Sequence, residues 1–427
     1  MKTLEREVLG RMAMFPEFRS AFDLCSCTRL LLCCVAGITL APSDAQILMP
    51  GGMYRLFTSD AAILESQESR KDLPCSVTPI KPALGFDLKF HSGYSVSIPL
   101  KELAGEGNQL TMVFRVTPAA HSDEPAFLSQ RMSVPSIEED AKGDAYLEGM
   151  FEIGEGKYHV DWLMRDRSEH VCSSNWDVEA SLPAKDKEMA LNIASGNVQP
   201  VDTEPFKEEP PVERAQQEPP LNVKVMVNFA PQNSFSATLQ PLDTNALVSI
   251  LRSMAREPRI GKFSIVAFNM QEQRIIYRQD AAAQIDFPAM GEALHSLSLG
   301  TIDLKRLEQK HSDTEFLTNL ITREIKDPQD HPDAVIFAGP KVMLDDSVPQ
   351  DTLKQIGDLS FPVFYMNYNL NPQAVPWRDA IGAAVKYLRG VEYTITRPRD
   401  VFFAWSEIMG RIVKSKFGRT GTISSSQ

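Results

Sequence analysis

One short stretch, Leu221–Gln232, constrains the fold of this chain more than any other. It reads LNVKVMVNFAPQ, in which valines recur with a period of two from Val223 to Val227, while Met226 keeps the opposite side apolar. A strand that is apolar on both sides is typical of a parallel sheet with helices on both faces. A polar loop follows, and Asp243–Thr244 then predicts the capped start of a helix, which completes the opening unit of an α/β domain.

Strands and helices alternate through the rest of this region. The short run Arg274–Tyr277 follows its predecessor after only a brief polar turn, so we expect it to pair antiparallel at an edge of the sheet. The other predicted strands are Lys262–Phe268, Ala334–Ala338, Pro362–Met366 and Val391–Thr396. The predicted helices are Thr244–Arg256, Pro288–Leu297, Thr314–Ile325, Arg378–Leu388 and a closing helix capped by Asp400.

The closing helix carries more apolar surface than one buried stripe needs, because Phe402 and Phe403 accompany Trp405. This excess predicts a helix that is buried on two sides; a contact in an oligomer is the alternative interpretation.

The N-terminal half has a different pattern, with apolar residues at every second position and no helical periodicity between the runs. Short alternating strands at this spacing favour an antiparallel β-sandwich. The predicted strands are Phe86–Phe90, Tyr94–Leu100, Leu110–Val116, Tyr146–Ile153 and Tyr158–Met164, with turns at His91–Gly93 and Gly154–Gly156. The fold class is therefore a two-domain α+β chain: an antiparallel β-sandwich over residues 46–184, then a doubly wound, mostly parallel α/β domain over residues 221–416.

A linker rich in proline and glutamate, residues 185–220, separates the two predicted domains. Its last part, Pro200–Pro220, contains six prolines and six acidic residues in 21 positions. Such a segment buries little apolar surface, and its prolines favour extended conformations. We therefore predict two independent folding units, followed by a flexible tail at residues 417–427.

The N-terminus resembles a secretory signal peptide. Arg29 precedes the apolar run Leu30–Leu40, and small residues before Gln46 suit cleavage after Ala45. The run is too short to span a bilayer, which takes about 20 residues. We predict a signal peptide over residues 1–45, no membrane span in the mature chain, and a secreted or periplasmic (cell-envelope) location; a buried N-terminal helix is the alternative.

Cysteine usage agrees with export, because the mature chain would keep only Cys75 and Cys172. An even number of cysteines in an oxidising compartment predicts a disulfide bond between them. In the chain-entropy model such a bond stabilises the fold by about 4–5 kcal/mol. Two unrelated buried thiols are the alternative interpretation.

The formal net charge of the 427-residue chain is −12 and its pI is near 5.2. Nucleic-acid binding requires a concentrated basic surface that neutralises phosphates, so this composition argues against a nucleic-acid partner.

The order of elements in residues 221–416, with the strings VKVMVNFAPQ, KFSIVAFN and DAVIFAGPK, resembles a von Willebrand factor A-type domain. In that family the first strand ends in Asp-x-Ser-x-Ser, and a distant Thr and Asp complete a divalent-cation site built from oxygen ligands. The matching positions here are Asn228, Ala230 and Gln232, with Thr314 or Thr301 for the threonine and Gly339 for the later aspartate. The resemblance therefore implies the fold with a degenerate adhesion site, and we expect no bound metal and no cofactor.

Asparagines end several predicted strands at this edge, namely Asn228, Asn269 and Asn367, and Lys341 follows the position of the missing aspartate. Amides donate and accept hydrogen bonds without charge, whereas lysine is a compact positive charge. The hypothesis is that Lys341 supplies the charge that a cation supplies in the family, so that an acidic group of a partner docks without metal. The alternative is that Lys341 points to solvent and the asparagines cap turns.

Three functions follow from these patterns. The first is a non-enzymatic, exported protein-interaction or adhesion-type module with an unidentified protein partner. The alternatives are a structural envelope component and an α/β hydrolase without a recognisable motif, since the chain lacks a G-x-S-x-G elbow, a P-loop, a G-x-G-x-x-G loop and an H-E-x-x-H helix.

Two smaller groups of residues are further candidates for chemistry. His170 lies close to Cys172, but a disulfide explains that cysteine better than Cys–His catalysis does. Asp327, Asp330 and Asp333 form an acidic turn, for which solvent exposure is the ordinary interpretation and a Ca²⁺ ligand set the alternative.

Overall fold

The computed structural model describes residues 47–49, 56–215, 219–232, 236, 239–297, 312–327, 330–342, 348–354, 356–370 and 379–418. The predicted signal peptide at residues 1–45 and the candidate Thr301 lie outside these residues. Within the described part of the chain, no helix combines the length and the apolar character that crossing a membrane requires.

The described residues have a mixed α and β fold with three sheets. The strands of the first half are β1 (Ile47–Leu48), β2 (Ser76–Leu84), β3 (Phe90–Pro99), β4 (Asn108–Pro118), β5 (Ala126–Val134), β6 (Asp144–Ile153), β7 (Gly156–Arg165), β8 (Val171–Ala180) and β9 (Val198–Pro200). They form two antiparallel sheets, in the spatial orders β1-β5-β4-β7-β8 and β2-β3-β6-β9. Because β9 pairs with β6, the second sheet extends past the predicted boundary at residue 184.

The second half contains the strands and most of the helices of an α/β unit. Its strands are β10 (Leu221–Asn228), β11 (Ile260–Asn269), β12 (Arg274–Ala282), β13 (Ala334–Pro340), β14 (Val363–Tyr368) and β15 (Val391–Ile395). The helices of the chain are α1 (Thr58–Ser66), α2 (Pro241–Ala255), α3 (Phe287–Leu294), α4 (Ser312–Ile325), α5 (Gln350–Lys354), α6 (Ala380–Tyr387) and α7 (Pro398–Phe417).

The sheet of the α/β unit has the order β12-β11-β10-β13-β14-β15. All neighbours pair parallel except β12, which pairs antiparallel with β11 at the edge, as predicted for Arg274–Tyr277. Side chains from both faces of β10 are buried: Val225 belongs to one hydrophobic cluster with α2 and α7, and Met226 to another with α4 and α6. The strand that anchors the sequence analysis is therefore covered on both faces.

The core between the two antiparallel sheets is aromatic. Tyr94, Phe114 and Trp162 are almost fully buried, and the Tyr94 ring centroid lies 5.9 Å from that of Phe114 and 5.0 Å from that of Trp162. A disulfide bond joins Cys75 to Cys172, with Cα atoms 6.2 Å apart, which confirms the predicted pairing.

The first predicted strand of the sandwich, Phe86–Phe90, is wrong, because most of these residues lie in the turn between β2 and β3. The turn falls at residues 85–89, where Gly85 N donates to Lys89 O and Leu88 has a φ of +59°, and His91–Gly93 lies inside β3. Gly93 does not mark a turn, because a Cβ there would lie 2.0 Å from the Gly149 carbonyl oxygen of β6. The glycine instead permits two strands to approach closely.

The predicted cap of the first α/β helix was also wrong. The helix begins at Pro241, with Gln240 as its N-cap, because proline is well suited to the first helical turn. Asp243 is a buried residue of that first turn. At the closing helix, Asp400 occupies the third helical position and accepts hydrogen bonds from the backbone of Thr396 and Arg397.

Residues of the closing helix contact both halves of the molecule. Phe402 packs against the core of the antiparallel sheets, Trp405 belongs to the core of the parallel sheet, and Arg399 forms a 2.6 Å ion pair with the buried Asp186. The prediction that this helix is buried on two sides is confirmed. The described linker residues add contacts: Phe206 packs against Phe229, and Glu209 pairs with α2.

A buried ionic network lies near the start of β10. The Lys224 side chain is 2% exposed, and its Nζ lies 2.9 Å from Asp330 Oδ2 and 3.4 Å from Glu324 Oε2. Asp333, the third residue of the predicted acidic turn, pairs with Lys416 at 2.8 Å. Two of the three aspartates are thus partners of lysines.

Candidate functional site

The order of strands places a topological switch point between β10 and β13. The chain leaves β10 toward β11 on one side and returns to β13 on the other, so the connecting segments diverge at the carboxyl ends of these two strands. In open α/β sheets, ligands bind in the crevice that forms at such a point. Asn228 ends β10, Gly339 lies near the end of β13, and Lys341 follows it. These are three of the residues that the sequence predicts to form the binding site.

Gly339 is required by a close approach of the two strands. Its φ is +142°, and a Cβ at this position would lie 2.7 Å from the carbonyl oxygen and 2.9 Å from the Cβ of Asn228. Any larger residue would be strained in conformation and would collide with β10. The backbone therefore has no room for the aspartate that the family carries at this position.

Asn228 and Asn269 are fully buried, and they tie the ends of β10 and β11 together. Asn228 Oδ1 accepts from the Met270 amide at 3.2 Å, and Asn269 Nδ2 donates to the Phe229 carbonyl. Asn269 Oδ1 also accepts from the Glu272 amide at 2.8 Å. Among the described residues, the Nδ2 group of Asn228 has no hydrogen-bond partner. These amides hold the loops at the strand ends.

Gln232 connects the loop after β10 to the loop after β14. Its Nε2 donates to Asn369 Oδ1 at 3.0 Å, and its Oε1 accepts from the Leu370 amide at 2.9 Å. The Gln232 backbone amide faces Asp243 Oδ2 at 3.4 Å, and burial raises the pKa of the Asp243 carboxyl. Ala230 is buried at 4% exposure. A carboxylate therefore lies beside the third motif position, but it comes from α2 and not from the strand.

An ionisable cluster lies farther along the same edge, around Glu392 of β15. Glu392 Oε1 lies 3.0 Å from Lys341 Nζ and accepts from Asn367 Nδ2 at 2.8 Å. A Cβ built on Gly382 would lie 2.8 Å from Asp379 Oδ2 and 3.2 Å from Glu392 Oε2, so both carboxylates lie close to the start of α6. Lys341 thus already has a carboxylate partner, which an acidic group from outside would have to share or displace.

The electrostatics of this cluster favour a proton on Asp379. Burial raises the pKa of this carboxyl to about 6, and the charge of Glu392 adds to the shift, although the Val342 backbone amide donates to Asp379 Oδ1 at 3.1 Å. The second oxygen, Asp379 Oδ2, is buried and has no hydrogen-bond partner among the described residues, and the same holds for Asn367 Oδ1.

The structure brings the nominated residues together only in part. Asn228, Asn269 and Gly339 meet at the ends of neighbouring strands, whereas Lys341 and Asn367 share Glu392. Thr314 lies in the first turn of α4 and is buried at 2% exposure.

Sequence reasoning missed the three carboxylates of this edge, Asp243, Asp379 and Glu392. The position of Asp243 and Asp379 next to predicted helix starts was a usable signal, since loops at strand ends converge there. Glu392 offered none, because it lies early in its strand and reaches the cluster only through its pairing opposite Tyr365.

Comparisons with known proteins give no closer identification. No family model matches the chain, and no curated protein matches it. Among solved structures, it is similar to the PilB minor pilin from Streptococcus sanguinis, at 8% identity and a TM-score of 0.27, over 73% of this chain and 88% of that chain.

Two further solved structures are similar over a smaller share of their own length. The first is a glycosyl hydrolase family 2 member from Bacteroides cellulosilyticus DSM 14838, at 9% identity and a TM-score of 0.18, over 74% of this chain and 37% of that chain. The second is a Bacteroides uniformis beta-glucuronidase, at 11% identity and a TM-score of 0.17, over 74% of this chain and 38% of that chain. Likenesses at these scores carry no argument about this protein.

Proposed function

We propose that this chain is an exported, non-enzymatic module that binds a protein partner through the carboxyl edge of its parallel sheet. In this proposal residues 221–416 form a von Willebrand factor A-like domain with a degenerate adhesion site. The observation that carries the proposal is the switch point between β10 and β13, which falls on the edge that the sequence nominates.

Topology supports the proposed layout. The sheet has a central β10, one antiparallel edge strand that directly follows β11, and helices on both faces. This is the order of elements on which the resemblance rests. The sandwich would serve as a spacer or as a second contact surface.

The residues at the switch point support binding without a divalent metal there. Asn228 and Gln232 direct their side-chain oxygens to backbone amides, and Gly339 leaves no space for a carboxylate. Among the described residues of this edge, the ion pair of Lys341 and Glu392 offers accessible charge, since the two side chains are 20% and 37% exposed. An acidic group of the partner would dock on Lys341 in exchange for Glu392.

The disulfide and the absence of a membrane-spanning helix among the described residues are compatible with export. Cleavage after Ala45 remains a prediction, because that segment lies outside the described residues. Intact-mass measurement of the protein secreted from its own host tests it directly, and an uncleaved leader would contradict it.

The binding site is tested by capturing partners on the immobilised protein with and without Lys341→Glu. The variant should retain about tenfold less of the partner bound by the unmodified chain, as expected for loss of one close charge pair. Lys354→Glu is the matched control, because Lys354 lies in an ion pair with Asp351 on the surface helix α5. Binding should survive EDTA and weaken with salt. Equal capture by both variants, or binding that EDTA abolishes and Mg²⁺ restores, would contradict the proposal.

A further inference from the structure

We infer that the antiparallel region holds a site for a divalent transition metal of the zinc class, formed by Asp87, His91 and Glu152. It is unrelated to the edge of the parallel sheet and goes beyond the proposed function. One ligand atom from each of the three side chains lies within 4.8 Å of the other two.

Two strands and one turn bring these residues together. His91 on β3 stands directly opposite Glu152 on β6 in the register of the sheet. Asp87 comes from the turn between β2 and β3, and both of its carboxylate oxygens lie 3.0 Å from His91 Nε2. Gly85 makes space for them, because a Cβ there would lie 2.5 Å from Asp87 Oδ1 and 2.6 Å from His91 Nε2.

The arrangement is partly closed to water. The Glu152 side chain is 3% exposed, whereas Asp87 and His91 are 23% and 24% exposed. A buried carboxylate at the base and two half-buried ligands at the rim leave a path by which an ion enters and an open position for a water ligand.

The donor set selects the class of metal. One imidazole nitrogen with two carboxylate oxygens suits zinc and its first-row neighbours better than calcium, which takes six to eight oxygen ligands. Three protein ligands with one open position is the arrangement of many zinc sites. Ligands of a tetrahedral zinc ion lie roughly 3.3 Å apart, given bond lengths of about 2.0–2.1 Å. The three ligand atoms lie within 4.8 Å of one another, so zinc binding would draw Glu152 closer to the pair of Asp87 and His91, which are already 3.0 Å apart.

Lys89 provides an internal competitor for the metal. Its Nζ pairs with Glu152 Oε2, and its side chain is 16% exposed at the surface. The ammonium group thus neutralises the buried carboxylate, and it must swing outward before a metal ion can take its place. Removal of Lys89 distinguishes the two interpretations. It should strengthen metal binding if the three residues form a metal site, and it should give no such gain if they form only an ion-pair cluster.

The position of the site suggests what metal binding would do. Phe86, next to Asp87, packs against the core of the parallel sheet, and the Asp202 amide at the start of the linker faces Glu152 Oε1 at 3.5 Å. An ion here would cross-link the β2–β3 turn to β6 close to the junction of the two halves, and would stabilise that junction.

The test is calorimetric titration of the chelator-treated protein with ZnCl₂, accompanied by thermal unfolding with and without zinc. We expect saturable binding of one zinc ion per chain and a higher unfolding temperature. Asp87→Asn, His91→Asn and Glu152→Gln should each weaken binding by at least about tenfold, since loss of even an outer-sphere partner commonly costs that much. Lys89→Met should tighten binding, because the competing ammonium is gone.

His159→Asn is the matched control. His159 also lies between two carboxylates, with Nδ1 2.7 Å from Asp177 Oδ1 and Nε2 3.2 Å from Asp161 Oδ1, but it belongs to the other antiparallel sheet. It should leave zinc binding unchanged. Near-ultraviolet circular dichroism checks that each variant is folded, and cobalt absorption reports ligation by a nitrogen ligand.

Three results would overturn the inference: no zinc binding by the unmodified chain, equal weakening by His159→Asn, or no gain in affinity with Lys89→Met. The last variant retains all three ligands, so it keeps the test decisive even if a ligand variant fails to fold.

Discussion

The two halves of the molecule bury their strands in different ways, and the difference explains how each is stabilised. In the antiparallel half, aromatic side chains fill the space between two sheets and a disulfide bond ties residue 75 to residue 172. In the parallel half, every residue of β10 except Asn222 is buried, and the charge of Lys224 is neutralised internally. One half depends on a covalent cross-link, and the other on complete enclosure of its central strand.

Polar groups follow the same division. In the antiparallel half, charged side chains lie on adjacent strands of one sheet, as with His91 and Glu152. In the parallel half, the polar side chains of the candidate site lie at strand ends, as with Asn228 at the end of β10. Candidate sites are therefore found on strand pairs in the first half and at strand ends in the second.

Removing the disulfide should have the largest effect and should be confined to the antiparallel half. Because the bond closes a loop with a sequence separation of 97, the double variant Cys75→Ala/Cys172→Ala should lower the free energy of unfolding by about 4–5 kcal/mol. Urea unfolding followed by tryptophan fluorescence measures the loss. Reduction of the unmodified chain should reproduce it, and an equal loss in the parallel half would contradict the independence of the two units.

The buried lysine tests the parallel half in the same way. Lys224→Ala should lower the free energy of unfolding by about 3 kcal/mol, because breaking a buried ion pair leaves charge uncompensated. This value is the low end of the range of about 3–5 kcal/mol for breaking a buried ion pair. The low end applies because Glu324 keeps Arg278 as a partner and Asp330 is partly exposed.

The control for this prediction is Lys262→Ala, at an exposed position of the neighbouring strand that pairs with Asn222. It should change the free energy of unfolding by less than about 0.5 kcal/mol. Equal effects of the two substitutions would show that the Lys224 network contributes nothing specific.

Contacts between the halves decide whether they unfold as one unit. Phe402→Ala should lower the free energy of unfolding by about 1–2 kcal/mol, less than for a fully buried phenylalanine, and should separate the two unfolding transitions. Phe403→Ala is the matched control, because Phe403 is a partly buried neighbour that is not part of the sandwich core. Limited proteolysis gives a second measure. First cleavage within residues 200–220 supports the prediction of two independent folding units, whereas first cleavage inside residues 221–416 contradicts it.

Sequence patterns predicted much of the fold because burial imposes a period. The valines of β10, the alternating residues of β4 and β7, and the two-sided closing helix were all identified from apolar spacing. Where local chemistry competed with the pattern, prediction failed. Gly93 suggested a turn but serves a close approach between strands, and β2 contains two prolines that conceal an edge strand.

The candidate sites were harder to predict because they depend on pairing between distant segments. Asn228 and Gly339 could be aligned from the family pattern, but the contact that forbids a side chain at Gly339 needs the register of β10 and β13. His91 and Glu152 are 61 positions apart (152 − 91) and meet only through antiparallel pairing. The spacing of residues within one segment predicts neither the contact of Asn228 with Gly339 nor the pairing of His91 with Glu152.

The last prediction concerns pH and distinguishes the carboxyl edge from the rest of the parallel half. Burial raises the pKa of Asp379 from 3.8 to about 6, so the folded state binds this proton more tightly than the unfolded state does. The contribution to stability is therefore fully present below pH about 4 and is lost as the pH rises through about 6.

Asp379→Asn should abolish this dependence, since the amide keeps an oxygen for the Val342 backbone donor but carries no charge. At pH 7 the variant should be more stable, because a neutral amide replaces a carboxylate whose ionised form burial disfavours. Asp358→Asn is the control, because Asp358 is 87% exposed and should leave the pH profile unchanged. Urea unfolding between pH 4 and pH 8 measures both profiles. If Asp379→Asn still loses stability as the pH rises over this range, the titrating group is not Asp379 and lies elsewhere in the molecule.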